Sequence, residues 1–327
     1  MFVCDRCSGA FVRVIDDLAC SACGRRVPIV DGIPRFVQSS THASFALQWK
    51  RFAEVQLDSR NGTSESRSRL LNQSRLRSQD FAGKSVLEVG CGAGRFTEVL
   101  LACGARVVAV DYSAAVEACA ASNADAVSDG RLLVAQADVF ALPFKRRSFD
   151  LVVGYGMLQH TGAPRRALGC LWEFVAPGGL LLVDRYQLDL RHVLLFKYAL
   201  RPLTRDLPPE RLLTIVERVC GVLIPIERRL LRKAQGGGPL RFLRYVLGRA
   251  PNSTFPLNLE SRGELVAGFA YRWSVLDTFD QYAPKYDLPC TAAQWREQIR
   301  ALPEGQIESL GSAGQGNVAV VRRRFTD

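Results

Sequence analysis

Val86-Leu-Glu-Val-Gly-Cys-Gly-Ala-Gly-Arg95 decides how this 327-residue chain is read. Ser85–Val89 is a short apolar run of strand character, and Phe96–Ala102 has helical spacing. Between them Gly90, Gly92 and Gly94 mark a strand-to-helix turn. Residues without a Cβ let the backbone bend sharply there and approach a ligand. In an open α/β sheet such a turn lies at the switch point where ligands bind. The spacing is G-x-G-x-G, not the G-x-G-x-x-G of dinucleotide sites, and Glu88 precedes it. Asp111 ends the next strand, Arg106–Val110, 21 residues after Gly90. A carboxylate at that point can accept both hydroxyls of a ribose. Asp138 follows the third strand, Leu132–Gln136, and is placed to accept from an adenine amino group.

Outward from this segment, strands and helices alternate. Ala114–Ala126 reads as an Ala-rich helix, Phe149–Val153 as a strand, Pro164–Val175 as a helix, Pro177-Gly178-Gly179 as a turn and Leu180–Val183 as a strand. The alternation predicts an α/β fold with a parallel sheet covered by helices on both faces. The stretch 185–259 interrupts it with apolar-and-Arg helical segments and a Gln235-Gly236-Gly237-Gly238-Pro239 hinge, and reads as a helical insert. Thr291 and Gln294 form a capping box ahead of a helix carrying Trp295, Ile299 and Leu302. Two final strands, Gln306–Leu310 and Asn317–Arg322, follow around a Gly-rich hairpin that includes Gly314. Ahead of the sheet, Phe45, Trp49 and Phe52 mark an amphipathic helix over Ser39–Val55. The expected organisation is a small module at 1–38, a helical linker at 39–80, and a large domain at 81–327 with its insert.

The matching pieces, Glu88–Gly94, Val110-Asp111, Asp138 with Leu142-Pro143-Phe144, Ser148–Val153 running into Met157-Leu-Gln-His160, and Ala176–Leu180, together resemble the class I S-adenosylmethionine-dependent methyltransferases. That resemblance spans about 100 residues and implies a Rossmann-like, seven-stranded sheet with an antiparallel last strand. It implies that Gly90 to Gly94 line the methionine end of the cofactor, Asp111 the ribose, and Asp138 with Val139 the adenine. Cys91, Tyr112 and Gly154 complete the implied cofactor set. The layout also looks like bacterial fusions of a zinc ribbon, a Gln48-Trp49-x-Arg51-Phe52 helix and this domain, which would bring Arg51 to the cofactor carboxylate.

A methyl sulfonium is electrophilic, so such an enzyme chiefly aligns a nucleophile with the C–S bond. A base is needed only where the acceptor must lose a proton. His160 is the candidate, because imidazole titrates near neutrality; a helix-capping role competes with that reading. Tyr155, Tyr186, Asp184, His192, Asp277, Asp280 and Tyr286 are further candidates for the acceptor side.

At the N-terminus, Cys4-x-x-Cys7 precedes Cys20-x-x-Cys23 by twelve residues. Two knuckles of this spacing complete a tetrahedral S4 site suited to structural zinc, with no position left open for catalysis. A redox role for each CxxC is the weaker alternative. A module of this size cannot bury a stable core alone, so metal would supply much of its folding free energy.

With 48% hydrophobic and 23% charged residues, the composition excludes a largely disordered, collagen-like or disulfide-scaffold chain. No apolar run approaches a membrane span, and the start Met1-Phe2-Val3-Cys4 is unlike a signal peptide, so a cytoplasmic protein is expected. Net charge is +11, and 185–250 alone holds 14 basic against 5 acidic residues. Two readings of the acceptor compete. In one, the insert closes as a lid over a small molecule that is methylated on O or N. In the other, ribbon and Arg-rich insert hold RNA. Gly154-Tyr-Gly-Met157 lacks the Asn/Asp-Pro-Pro-aromatic motif of many nucleobase amino methyltransferases, which favours the first. The basic, amphipathic insert can also rest on an anionic membrane.

Overall fold

In the computed structural model, residues 2–37, 43–188, 196–233, 251–313 and 316–325 are described. His192, the Gln235–Pro239 hinge and Gly314 lie outside them. The chain divides into two compact units: 1–42 with 67–188 and 286–327, and 43–66 with 189–285.

The first unit contains two sheets. β1 (Phe11–Val14), β2 (Asp17–Cys20), β3 (Arg26–Val30) and β4 (Ile33–Pro34) form an antiparallel ribbon in sequence order. The larger sheet holds β5 (Ser85–Val89), β6 (Arg106–Asp111), β7 (Leu132–Gln136), β8 (Phe149–Gly154), β9 (Val175–Tyr186), β10 (Gly305–Ala313) and β11 (Gly316–Arg323). Its order is β10-β11-β9-β8-β5-β6-β7. β5 to β9 are mutually parallel, and β11 runs antiparallel between β9 and β10. The order reverses at β5/β8, so the glycine turn after β5 opens where chain crossovers leave the sheet to opposite sides.

Buried apolar runs explain the central strands. Val86, Leu87, Val107, Val110, Val152, Val153, Leu181 and Val183 are nearly inaccessible, and both sheet faces carry their own cluster. This is the signature of parallel strands covered on both sides. The covering helices are α4 (Thr97–Ala102), α5 (Val116–Ser122), α6 (Ala124–Ser128), α7 (Pro164–Trp172) and α12 (Ala292–Arg300). The capping box holds at α12: Gln294 N donates to Thr291 Oγ1 at 3.2 Å, and Thr291 N to Gln294 Oε1 at 3.0 Å.

Two local expectations are corrected. Pro177–Gly179 is not a turn ahead of a strand but part of a continuous β9, with a register irregularity opposite Phe149–Leu151 and Gly178 at φ +76°. Between these pairings β9 carries three more residues than β8, and Gly178, at positive φ, takes a turn of backbone open to glycine. The Ala-rich helix breaks at Asn123, whose side-chain amide donates to Cys119 O at 2.9 Å. A short polar side chain offers the backbone an alternative partner and ends the helix there.

The ribbon is seated on the larger sheet within this unit. Val3 N donates to Pro143 O at 2.8 Å, and Phe36 N to Gln136 O at 2.8 Å. Arg35 continues β4 into a parallel bridge with Gln136 at the outer strand β7. Phe2 fills the seam, with ring centroids 5.1 Å from Phe36 and 5.6 Å from Phe144.

The second unit is helical. α1 (Ala43–Phe52), α2 (Asp58–Asn61), the start of α3 (Glu65–Ser74), α8 (Phe196–Thr204), α9 (Pro209–Lys233), α10 (Phe255–Ser261) and α11 (Phe269–Tyr282) belong to it. Phe52, Val55, Leu212, Val216, Ile224, Leu257, Trp273 and Phe279 make its core. No described helix is long and apolar enough to cross a membrane.

Candidate functional site

The glycine turn is held by its own backbone. Gly90 N and Cys91 N both donate to Val110 O, at 2.7 and 3.1 Å, which ties the end of β5 to the end of β6. Gly90, Gly92 and Gly94 have φ of +80°, +52° and +94°, the left-handed region. A Cβ on Gly90 would lie 2.6 Å from Met157 Cβ, and one on Gly94 would lie 2.8 Å from Asn123 Nδ2. Two of the three glycines are thus required by packing of the chain itself, apart from any ligand.

Asp111 locks this turn. Its Oδ2 accepts from Gly92 N at 3.0 Å; its Oδ1 accepts from Ser113 N at 2.8 Å and Ser113 Oγ at 2.7 Å. A carboxylate offers about four acceptor directions, so roughly one is left. Rotation of the Ser113 hydroxyl would free a second for a diol. Next along the strand ends, Gln136 Nε2 donates to Tyr112 O at 2.9 Å, and Gln136 Oε1 accepts from Arg35 at 3.2 Å. Asp138 caps the 3-10 turn Val139–Ala141 by accepting from Phe140 N at 2.9 Å. The carboxylates at 111 and 138 therefore sit at the carboxyl ends of adjacent strands, as the sequence spacing requires.

Glu88 lies beneath the turn, 2% exposed. Its Oε2 accepts from Thr97 Oγ1 at 2.6 Å, while Oε1 has no hydrogen-bond partner among the described residues. Burial pushes its carboxyl up to about 8; the Thr97 hydroxyl opposes this and the Asp111 charge adds to it. An acid with a raised folded-state pKa stays protonated while its unfolded counterpart ionises. Stability of the ligand-free protein is therefore expected to fall between pH 4.5 and about 8, by on the order of 4–5 kcal/mol. Glu88→Gln should flatten that slope in denaturant titrations at several pH values; an unchanged slope would show that Glu88 is not its source.

A second polar group faces the same strand ends. Asp184 on β9 accepts from Arg69 on α3 at 2.5 Å and from Gly156 N at 2.6 Å. Arg69 and Arg95 both lie over the Phe96 ring, at 5.4 and 5.3 Å, and Phe96 meets Tyr155 edge-on at 5.5 Å. The Tyr155 hydroxyl and both side-chain amide atoms of Gln159 are buried without a hydrogen bond among the described residues. Burial pushes the Tyr155 phenol well above its usual range. Arg69 and Gln159 escaped the sequence reading. Arg69 sits in a polar Ser/Arg-rich stretch with no motif, and its pairing with a residue 115 positions away leaves no local signal.

His160 lies just after β8, 8% exposed, with its ring edge-on to Tyr186 at 5.6 Å. Its Nδ1 is 3.1 Å from Tyr286 O. A carbonyl only accepts, so Nδ1 carries the proton in the neutral ring and Nε2 is the basic nitrogen. Gly154, at the end of β8, is buried, and a Cβ there would lie 2.7 Å from Leu171. Arg51, Asp277 and Asp280 belong to the helical unit. There Arg51 pairs with Glu217 at 3.5 Å, Asp277 accepts from Gln56 at 3.1 Å, and Asp280 accepts from Gln48 at 3.2 Å.

In the ribbon, ligand atoms of Cys4, Cys7, Cys20 and Cys23 all lie within 4.8 Å of one another. Cys4 and Cys23 sulfurs are 3.8 Å apart, and those of Cys7 and Cys20 are 3.4 Å apart. A tetrahedron of thiolates at zinc–sulfur bond length has edges of about 3.8 Å, so the donor set fits such an ion. The amides of Cys23 and Ala22 pull the Cys20 thiol down to about 6. Four adjacent thiols cannot all ionise without a cation; the Gly9 amide lowers Cys7, but its neighbouring thiols outweigh it and push it up to about 12.

Residues 87–183 match the family model described as a methyltransferase domain. The mitochondrial ubiquinone biosynthesis O-methyltransferase of Schizosaccharomyces pombe is 36% identical over 106 residues, covering 32% of this chain and 38% of that protein. The malonyl-[acyl-carrier protein] O-methyltransferase of Erwinia billingiae is 35% identical over 133 residues, covering 40% and 49%. The demethylmenaquinone methyltransferase of Clavibacter sepedonicus is 33% identical over 106 residues, covering 32% and 42%. The chain thus spans less than half the length of these relatives. Among solved structures, a chain from the complex between the Haloferax volcanii Trm112 methyltransferase activator and a methyltransferase superposes with TM-score 0.50 at 11% identity, covering 88% of this chain and all of that one. Residues 87–183 thus match a methyltransferase domain and lie on a seven-stranded sheet of the Rossmann-like kind shared with that solved structure.

Proposed function

We propose that this protein is an S-adenosylmethionine-dependent methyltransferase acting on oxygen or nitrogen of a small-molecule acceptor. The observation that carries the reading is the Gly92–Asp111 lock, a carboxylate pinned at a strand end beside a left-handed glycine turn, with Asp138 one strand further on. The orphaned, buried Glu88 Oε1 fits a ligand that brings a cationic donor, as the cofactor's α-ammonium does. When bound, that cofactor supplies an electrophilic methyl group. The chain's part is to bind, orient and exclude water, with Asp111 taking the ribose and Asp138 and Val139 the adenine. Arg51 is retained as a candidate for the cofactor carboxylate. The relatives named above are a ubiquinone biosynthesis O-methyltransferase, a malonyl-[acyl-carrier protein] O-methyltransferase and a demethylmenaquinone methyltransferase, and none of these names is of an RNA-modifying enzyme, which supports a metabolite acceptor over RNA. The helical unit, entered directly after β9, is assigned the selection of the acceptor. Zinc in the four-cysteine ribbon is part of the same proposal.

His160 is proposed as the base for acceptors that must lose a proton, with Nε2 as the accepting atom. His160→Gln is expected to cut turnover by about 10²-fold or more while leaving cofactor affinity unchanged. Undiminished turnover would end the base role. The reading as a whole is tested by calorimetry with S-adenosylmethionine and S-adenosylhomocysteine against a nicotinamide dinucleotide. Heat from the first two supports it, and binding of the dinucleotide alone overturns it.

A further inference from the structure

Helix α9 is apolar on two sides, and only one of them is used. Leu212, Val216, Cys220 and Ile224 point into the helical core. On the opposite side Arg211, Ile215, Arg218, Val222, Ile226 and Arg229 recur at steps of three and four residues and form one stripe. All six are exposed; Ile215, Val222 and Ile226 are 42%, 64% and 51% accessible. At the helical rise the stripe is about 27 Å long. Of the helix's three carboxylates, Glu210 is exposed in the first turn, Glu217 pairs with Arg51, and Glu227 is buried, accepting from Asn252. Arg211, Arg218 and Arg229 have no carboxylate partner among the described residues.

We infer that this face of α9 docks on an anionic phospholipid surface. The inference does not depend on the methyltransferase reading. Aliphatic side chains alternating with guanidinium groups match the boundary between acyl chains and headgroups, where the apolar groups dip inward and arginines reach phosphates. A second copy of the helix would set arginine against arginine along the seam. RNA would use the arginines but not the aliphatics, and the stripe has no aromatic ring on which a base stacks.

The test is sedimentation of the full chain with phosphatidylcholine vesicles, with and without phosphatidylglycerol. Retention is expected only on the anionic vesicles and should weaken with salt. Val222→Asp with Ile226→Asp should lower the partition coefficient about tenfold or more, and Arg218→Gln and Arg229→Gln about fivefold each. Thermal melting should not change, because these side chains are exposed. Absence of binding to anionic vesicles overturns the inference, as does wild-type binding by the Asp variants. Retention on homopolymer RNA that exceeds retention on anionic vesicles, unaffected by the Asp substitutions, would assign the arginines to nucleic acid and overturn it as well.

Discussion

Zinc added to metal-stripped protein is expected to raise its melting temperature and tighten its binding of S-adenosylhomocysteine together, and Cys20→Ser is expected to abolish both effects. The ribbon has few buried apolar side chains of its own, chiefly Leu18, Val27 and Ile33. Four short strands with so small a core do not hold together unaided. Coordination of four thiolates supplies an apparent ~10–16 kcal/mol in small zinc modules, enough to decide whether this one folds. The effect reaches the cofactor site because the ribbon grips it. Arg35 donates to Gln136, Gln136 donates to the Tyr112 carbonyl, and Val3 holds Pro143 at the end of the loop that begins at Asp138. Arg35 is thus a positioning residue. Arg35→Ala in zinc-loaded protein should weaken cofactor-product affinity about fivefold, with metal content unchanged. Unaltered affinity in both the stripped protein and this variant would show that the ribbon and the cofactor site are uncoupled.

Asp111→Ala is expected to weaken S-adenosylhomocysteine on the order of 10²-fold, through loss of charge-assisted hydrogen bonds of about 1.5–3 kcal/mol each. The same change frees Gly92 N, so the glycine turn also loses its anchor to β6. Asp111→Asn keeps the shape and one acceptor oxygen and should fall between wild type and Ala. Isothermal calorimetry measures both. Full affinity in Asp111→Ala would remove the ribose assignment and, with it, the main support for the adenosyl pocket.

Most of the large sheet was legible because its strands are short, continuous apolar runs punctuated by glycine, and such runs have few other ways to be buried. The Thr291–Gln294 capping box was equally local, since all its partners lie within one turn. Pro177–Gly179 misleads for the same reason: Pro-Gly-Gly is a turn signal taken alone, and only the pairing of β8 with Val175 on one side of it and Leu180 on the other shows that the segment is an irregularity within one strand. Asn123 looked like one polar residue in an Ala-rich helix. Its side-chain bond to Cys119 O makes it a break.

The α/β order, the glycine turn with its carboxylates at 111 and 138, and the four-cysteine cluster can all be read from the chain's residues alone. Each of these rests on neighbours a few residues apart or on spacing that the strand–turn–helix unit fixes. Tertiary structure alone decided that Arg69 meets Asp184, that Arg35 reaches Gln136, and that 43–66 joins 189–285 in one helical unit. Those contacts join residues about a hundred or more positions apart. Their partners are selected by which faces remain open once the sheet has closed, and no local pattern in the chain encodes that choice.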